Sequence, residues 1–214
     1  PAQAGTTDKE AYEHYLNGRF HLARLTRPDM LASIDYFQQA VSRDPGYAQA
    51  WLGLASVYFR MPLAGETPSG EFYPKAKAAA RKALEIDSTL AEGHAMLGWI
   101  AFWFDWDWAA SQAHFERAIE LNPNDTEGHL GYAHLLSNTG RHEPALVEVR
   151  RARELSPFYP VAAALEGEHG GVLVLALHLP VHEADARAEM LFQILEPFLR
   201  GGDSRRRLPE ASVR

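Results

Sequence analysis

Cysteine is absent from the 214-residue chain. That excludes disulfides, thiolate metal sites and cysteine nucleophiles, and it fits a reducing compartment, the cytoplasm. No apolar run approaches the ~20 residues needed to span a bilayer; the longest, GVLVLALHLPV, is broken by Pro180. Positive charge is scarce. Lys and Arg number 21 against 28 Asp and Glu, leaving a net charge of −7. A broad phosphate-backbone interface needs a basic surface, so nucleic acid is not an expected partner. A GxSxG elbow and a phosphate-binding loop are also missing. The opening PAQAGTTDKE has no initiator Met and no signal-peptide form, so a fragment or a processed chain is expected.

What is present is repetition. FQQAVSRDPGYAQAWLGLASVY, ARKALEIDSTLAEGHAMLGWIA and FERAIELNPNDTEGHLGYAHLL align with one another, and VRRARELSPFYPVAAAL begins the same way. Pro45, Ser88, Pro123 and Pro157 mark the same point in each, at spacings of 43, 35 and 34 residues. Before Pro45, Leu31, Ile34, Phe37 and Val41 recur at helical spacing. The Asp-Pro pair stops that helix, and Trp51, Leu54, Val57 and Tyr58 restart the period. Small residues at Ala40, Ala83, Ala118 and Ala152, and at Ala55, Gly98 and Ala133, let helices approach closely. Neither helix of such a pair buries its stripe alone, and stacking the pairs builds a continuous core.

These residues resemble the tetratricopeptide repeat, a 34-residue helix-turn-helix unit. Trp51, Leu54, Ala55 and Tyr58 match its first helix in the second unit. Leu97 and Gly98 match in the third, with His94 in place of the first aromatic. Tyr132, Ala133, Gly140, Ala145, Ala152 and Pro157 match in the fourth. Ser33, Phe37, Ala40 and Pro45 close the first unit; Ser111, Phe115, Ala118 and Pro123 close the third. The resemblance implies an all-α, right-handed superhelix of about four repeats, over 10–45, 46–88, 89–123 and 124–157. Residues 1–9 form an extension. Residues 161–200 read as a degenerate fifth repeat, a capping helix, a homodimer contact or, at VLVLAL, a strand; a change of reading frame is a further reading. Residues 201–214 read as a tail. AYEHYLNGRF, FDWDWAASQAHFERAIELNPN and GRHEPALVEVRRARELSP look like repeats of large bacterial signalling proteins, whose catalytic and DNA-binding domains are not present here.

Transferred by offset, the family's concave-face positions fall on Tyr15, Arg19 and Leu22 in the first unit. They fall on Gln49, Leu52, Ser56, Phe59 and Arg60 in the second, on Trp99, Phe102 and Trp103 in the third, and on Glu127, Leu130, His134, Ser137 and Asn138 in the fourth. Lysine is absent from all of them, which argues against the family's chaperone-tail clamp. The implied site is a peptide groove of Arg19, Gln49, Phe59, Arg60, Trp99, Phe102, Trp103, His134 and Asn138, suited to an apolar anchor with an acidic group. The alternative is a regulatory or oligomerisation region of a multidomain signalling enzyme or transcription regulator.

Two stretches strain the pattern. WIAFWFDWDW, residues 99–108, holds four of the five tryptophans. Trp106 and Trp108 are expected in the core, with Trp99 and Trp103 balanced between core and groove; Asp107 is the expected N-cap of the next helix. No Lys or Arg interleaves these rings, so base stacking is disfavoured. MPLAGETPSGEFYPKAK reads as an exposed loop, from which Phe72 and Tyr73 are expected to fold back onto the groove or pack against the first unit. Ten histidines raise the question of metal. His129 and His134 lie on different helix faces, Pro180 separates His178 from His182, and His94 and His129 sit where an aromatic packs. No metal, no cofactor and no catalytic residue is expected; the partner is a protein or peptide.

Overall fold

The computed structural model describes residues 5–64 and 69–156. The readings placed on Pro157, on 161–200 and on 201–214 lie outside them. Eight α-helices run in antiparallel pairs among the described residues: α1 (Lys9–Leu22) with α2 (Arg27–Arg43), α3 (Ala48–Arg60) with α4 (Ser69–Ile86), α5 (Ala91–Ile100) with α6 (Trp108–Leu121), and α7 (Thr126–Asn138) with α8 (His142–Leu155). Each pair packs on the next, α2 on α3, α4 on α5 and α6 on α7. The result is an all-α stack of hairpins.

Four of the helix starts, those of α1, α2, α6 and α7, carry side-chain caps. Asp8, Thr26, Asp107 and Asp125 accept the N–H groups of Ala11, Asp29, Ala110 and Gly128, which are among the donors a helix N-terminus leaves unpaired. The turns between hairpins are equally regular. Asp44 Oδ1 accepts from the N–H of Gly46 at 2.9 Å, Asp87 Oδ1 from Thr89 at 2.9 Å, and Asn122 Oδ1 from Asn124 at 3.1 Å. The bond spans the residue between, so Ser88 can replace proline there without loss of the turn.

The residue six places after Pro45, Ser88 and Pro123 is tied back to that anchor. Trp51 Nε1 donates to the Pro45 carbonyl at 3.0 Å. His129 Nε2 lies 3.1 Å from the Pro123 carbonyl, and His94 bonds the backbone of Ser88. Both histidines thus take the place of an indole N–H. His129 Nδ1 also meets Glu148 Oε2 at 2.6 Å. Burial alone would lower the His129 pKa, but these two acceptors raise it above the ordinary value.

Two phenylalanines key the hairpins together. The Phe37 ring fills the space where Cβ atoms on Gly18 and Gly53 would stand, and Phe115 does the same against Gly98 and Gly131. Ser33 and Ser111, one turn earlier, donate to the carbonyls of Gly18 and Gly98 at 2.9 and 3.0 Å. The hairpin between them reverses the sizes. Ala80 stands at the phenylalanine position, with Ala55 and Met96 at the two glycine positions, all in one cluster with Phe37. Volume is conserved while its owner changes.

The long spacing is only partly loop. Met61–Ala64 forms a 3-10 turn, and α4 already begins at Ser69. Phe72 packs on Tyr58, and Tyr73, buried, packs on Phe59 and Phe104. The expectation of an exposed loop through residue 77 is corrected. Phe72, Tyr73, Ala76, Ala79, Ala80 and Ala83 make an apolar stripe at helical spacing, and its burial outweighs the Pro and Gly signals.

The 35-residue spacing has a distinct solution. One extra residue is wound into the end of α5 as a π-helical turn, Ala101–Asp105. Trp106 then closes it in the left-handed conformation, φ 57°.

Candidate functional site

The first helices of the four hairpins, α1, α3, α5 and α7, line one cavity of about 750 Å³. From α1 come Tyr15, Arg19 and Leu22; from α3, Gln49, Leu52, Ser56, Phe59 and Arg60. From α5 and its π turn come Glu92, Ala95, Met96, Trp99 and Trp103, and α7 gives Glu127, Leu130 and His134. Seven of the nine residues expected at a groove therefore share it: Arg19, Gln49, Phe59, Arg60, Trp99, Trp103 and His134.

Phe102 does not, and this corrects the offset reading. It is 6% exposed, in a cluster with Phe115 and Leu135. The reason is the π turn. An extra residue delays every later side chain by about 100°. Phe102 thereby takes the core-facing setting of Leu136 in α7, and Trp103 takes the groove setting of Phe59. Asn138 is also missing; its amide donates to the His134 carbonyl of its own helix at 2.6 Å. Trp106 and Trp108 are not core residues either. They are 48% and 45% exposed, at the turn between α5 and α6, where Trp106 is the αL residue that closes the π turn and Trp108 begins α6. Asp107 caps α6 as expected.

The aromatic wall is supported from behind. Trp99 meets Phe115 at 5.4 Å and His134 at 5.2 Å between ring centroids, both edge-on, and Trp103 meets Phe102 edge-on at 5.2 Å. His134 is buried, and burial pushes its pKa down to about 4; it is neutral at pH 7. Arg60 is held on its own helix by the Ser56 hydroxyl and carbonyl, and Arg19 stands over the Tyr15 ring at 5.8 Å. Both guanidinium groups lie toward the first two hairpins.

The opposite end is acidic. Glu92 and Glu127 occupy the first turns of α5 and α7. Asp125, buried, caps α7, and its pKa is pushed up to about 6 by burial first and then by Glu92 and Glu127. Glu92, Leu90 and Met96 were missed as lining residues. The offset that places Gln49 and Glu127 also places Glu92, so that signal was in the sequence. Among the described residues no three His, Asp or Glu side chains cluster to hold a metal. No described helix is long and apolar enough to cross a membrane.

Two segments match models of the tetratricopeptide repeat, residues 29–62 and 114–146. No curated protein sequence matches the chain. Among solved structures, a thermophilic TPR protein of Thermus thermophilus superposes with TM-score 0.62 at 18% identity, over 73% of this chain and 79% of its own. PilW, a widely conserved type IV pilus biogenesis factor, gives 0.61 at 19% identity, over 89% and 80%. YrrB, a TPR protein with an unusual peptide-binding site, gives 0.52 at 20% identity, over 88% of both. At these identities the likeness is one of fold.

Proposed function

We propose that this chain, built of tetratricopeptide repeats, is a non-catalytic protein-interaction module of the cytoplasm that holds a peptide segment of its partner in the concave groove. One observation carries the reading. Four helices from four different hairpins turn side chains into a single cavity, and its wall is aromatic. Apolar cavities of this size with a few convergent polar groups are the usual form of a binding site. Trp, Tyr and Arg side chains are the types that dominate recognition energies; Trp103 and Arg60, half-buried, and Arg19, exposed, line the cavity. The peptide-binding site of YrrB is an analogy of fold; the proposal stands on the groove of this chain.

The test is affinity capture with the full chain as bait, against baits carrying Trp103→Ala or Arg60→Ala. Thermal melts establish that each bait is folded. Both substitutions are expected to reduce recovery of the same partner. Unchanged recovery with both would remove the groove from the proposal.

A further inference from the structure

We infer that two copies of this chain pair through the outer face of α1, with Leu16 and Phe20 of each copy packed on those of the other across a two-fold axis. The proposal is independent of the groove. Leu16 and Phe20 each stand one residue after a cavity-lining side chain, Tyr15 or Arg19, and one residue is about 100° around a helix.

The repeats show what this face is built for. Gly18 takes in α1 the place that Ala55, Gly98 and Ala133 take in α3, α5 and α7; Ser33 and Ser111 donate alike to the carbonyls of Gly18 and Gly98. Two residues before Gly18 stands Leu16. Its equivalents in α3 and α7 are Gly53 and Gly131, which meet the Phe37 and Phe115 rings of the preceding hairpin. Two residues after Gly18 stands Phe20. Its equivalents are Val57, Ile100 and Leu135, all 0% exposed. Leu16 and Phe20 themselves are 44% and 59% exposed. The free end of a repeat array ordinarily turns a polar face outward. This one carries a leucine and a phenylalanine one helical turn apart, which are neighbours on the helix surface.

The charges beside this pair select its partner. Glu13, exposed, lies three residues before Leu16 and has no ion-pair partner among the described residues. The Arg24 guanidinium stands over the Phe20 ring at 5.6 Å; it meets Asp29 at 3.4 Å and remains 59% exposed. The face is thus negative at one end, apolar in the middle and positive at the other. Counted from Gly18, midway between Leu16 and Phe20, Glu13 lies five residues back and Arg24 six residues on. At 1.5 Å per residue these are about 8 and 9 Å to either side. A second α1 laid antiparallel therefore matches the first: Leu16 meets Phe20 of the other copy, and Glu13 meets its Arg24. A parallel pairing would set like charges together. A contact in which one residue meets another and is met by it in return is the form of a two-fold dimer.

The experiment is sedimentation equilibrium of the full chain over about 1–100 μM, the range in which a modest interface dissociates. A monomer–dimer equilibrium is expected. Leu16→Glu combined with Phe20→Glu should weaken it about tenfold or more and leave the thermal melt of the monomer in place, since both side chains are exposed. Glu13→Arg alone, and Arg24→Glu alone, should each weaken the dimer several-fold, about what an exposed charge pair allows. The two together should recover most of the loss, because the exchanged ends are again complementary. A chain that stays monomeric throughout would overturn the proposal. So would a dimer untouched by the Leu16, Phe20 double variant, which would place the contact on another face. Species that grow beyond the dimer with concentration would replace the two-fold contact by a head-to-tail one. Failure of the charge exchange to restore pairing would overturn the antiparallel register.

Discussion

Phe115 and Gly131 interlock: a Cβ on Gly131 would stand 2.1 Å from Cε1 of the ring. The ring cannot retreat, because Gly98 closes the other side, its Cβ site 2.8 Å away. Two hairpins are thus registered by one side chain. The same holds for Phe37 between Gly18 and Gly53.

Gly131→Ala should therefore destabilise the fold by roughly 2 kcal/mol, as overpacking does, although alanine is the better helix former by about 1 kcal/mol. Phe115→Ala should cost roughly 3–5 kcal/mol. Combining Phe115→Ala with Gly131→Met copies the Ala80 and Met96 arrangement. It should recover roughly 1 kcal/mol or more of the sum, a coupling expected only of residues in contact. Urea denaturation of the parent, the single variants and the double variant measures the cycle.

Leu25 and Trp106 should each improve stability when replaced by glycine. Both hold positive φ, 55° and 57°, in the loop where the fourth hairpin uses Gly140, φ 76°. A left-handed non-glycine residue costs about 1–2 kcal/mol, partly offset by glycine's larger chain entropy. Leu25 is 60% exposed and loses little contact. Leu25→Gly is expected to raise the unfolding free energy by roughly 0.5–1 kcal/mol, and Gly140→Ala to lower it by a similar amount. Trp106→Gly should gain less, since half its ring is covered. A lower melting temperature for Leu25→Gly would contradict the argument.

Asp125→Asn should stabilise the protein at neutral pH and have no such effect in acid. The folded pKa, raised to about 6 by burial and by Glu92 and Glu127, exceeds the ordinary 3.8. The folded chain therefore holds a proton that the unfolded chain has lost between those values, and stability drops as pH rises from 3.8 through about 6. Asparagine keeps the cap on the Gly128 N–H without the charge. The expected gain at about pH 8 is roughly 1 kcal/mol after allowance for screening, fading below about pH 4. Melts across that range read it directly.

His134 works in the opposite sense. Its folded pKa of about 4 lies below the ordinary 6.5. The unfolded chain then takes up a proton that the folded chain refuses, so stability is lost as pH falls from 6.5 toward 4. His94 and His114, also lowered by burial, add to this slope. Replacing His134 by Leu should flatten part of it, and the fluorescence of Trp99, 5.2 Å from the imidazole, offers a second readout. A slope unchanged in the variant would assign the acid sensitivity elsewhere.

Most of the cavity's lining was legible in the sequence. Arg19, Gln49, Phe59, Arg60, Trp99 and His134 follow from one offset applied to four units, because each first helix presents the same face inward; Trp103 lines the cavity too, but in the setting that the π turn gives it. Phe102 was misplaced because the offset assumes an unbroken α-helix. The clue was the 35-residue spacing, whose extra residue had to be wound in somewhere. Trp106 and Trp108 were assigned to the core as large aromatics at helical spacing, and neither size nor spacing says whether a neighbour is there to cover the ring. Phe72 and Tyr73 were expected to pack back from a loop; that they do so from a helix was masked by Pro62, Pro68 and Pro74, which advertise a loop more loudly than an apolar stripe advertises a helix.

The order of the chain determined the hairpins. Periodicity fixes which face of a helix is apolar, and Asp or Asn before Pro45, Ser88 and Pro123 fixes where those pairs end; both are local effects of neighbours a few residues apart. Which rings fill the core and which face the cavity was decided only by tertiary contact. Burial depends on what another helix brings to the same point, and a glycine on α7 makes room for a phenylalanine of α6 only once the two are stacked.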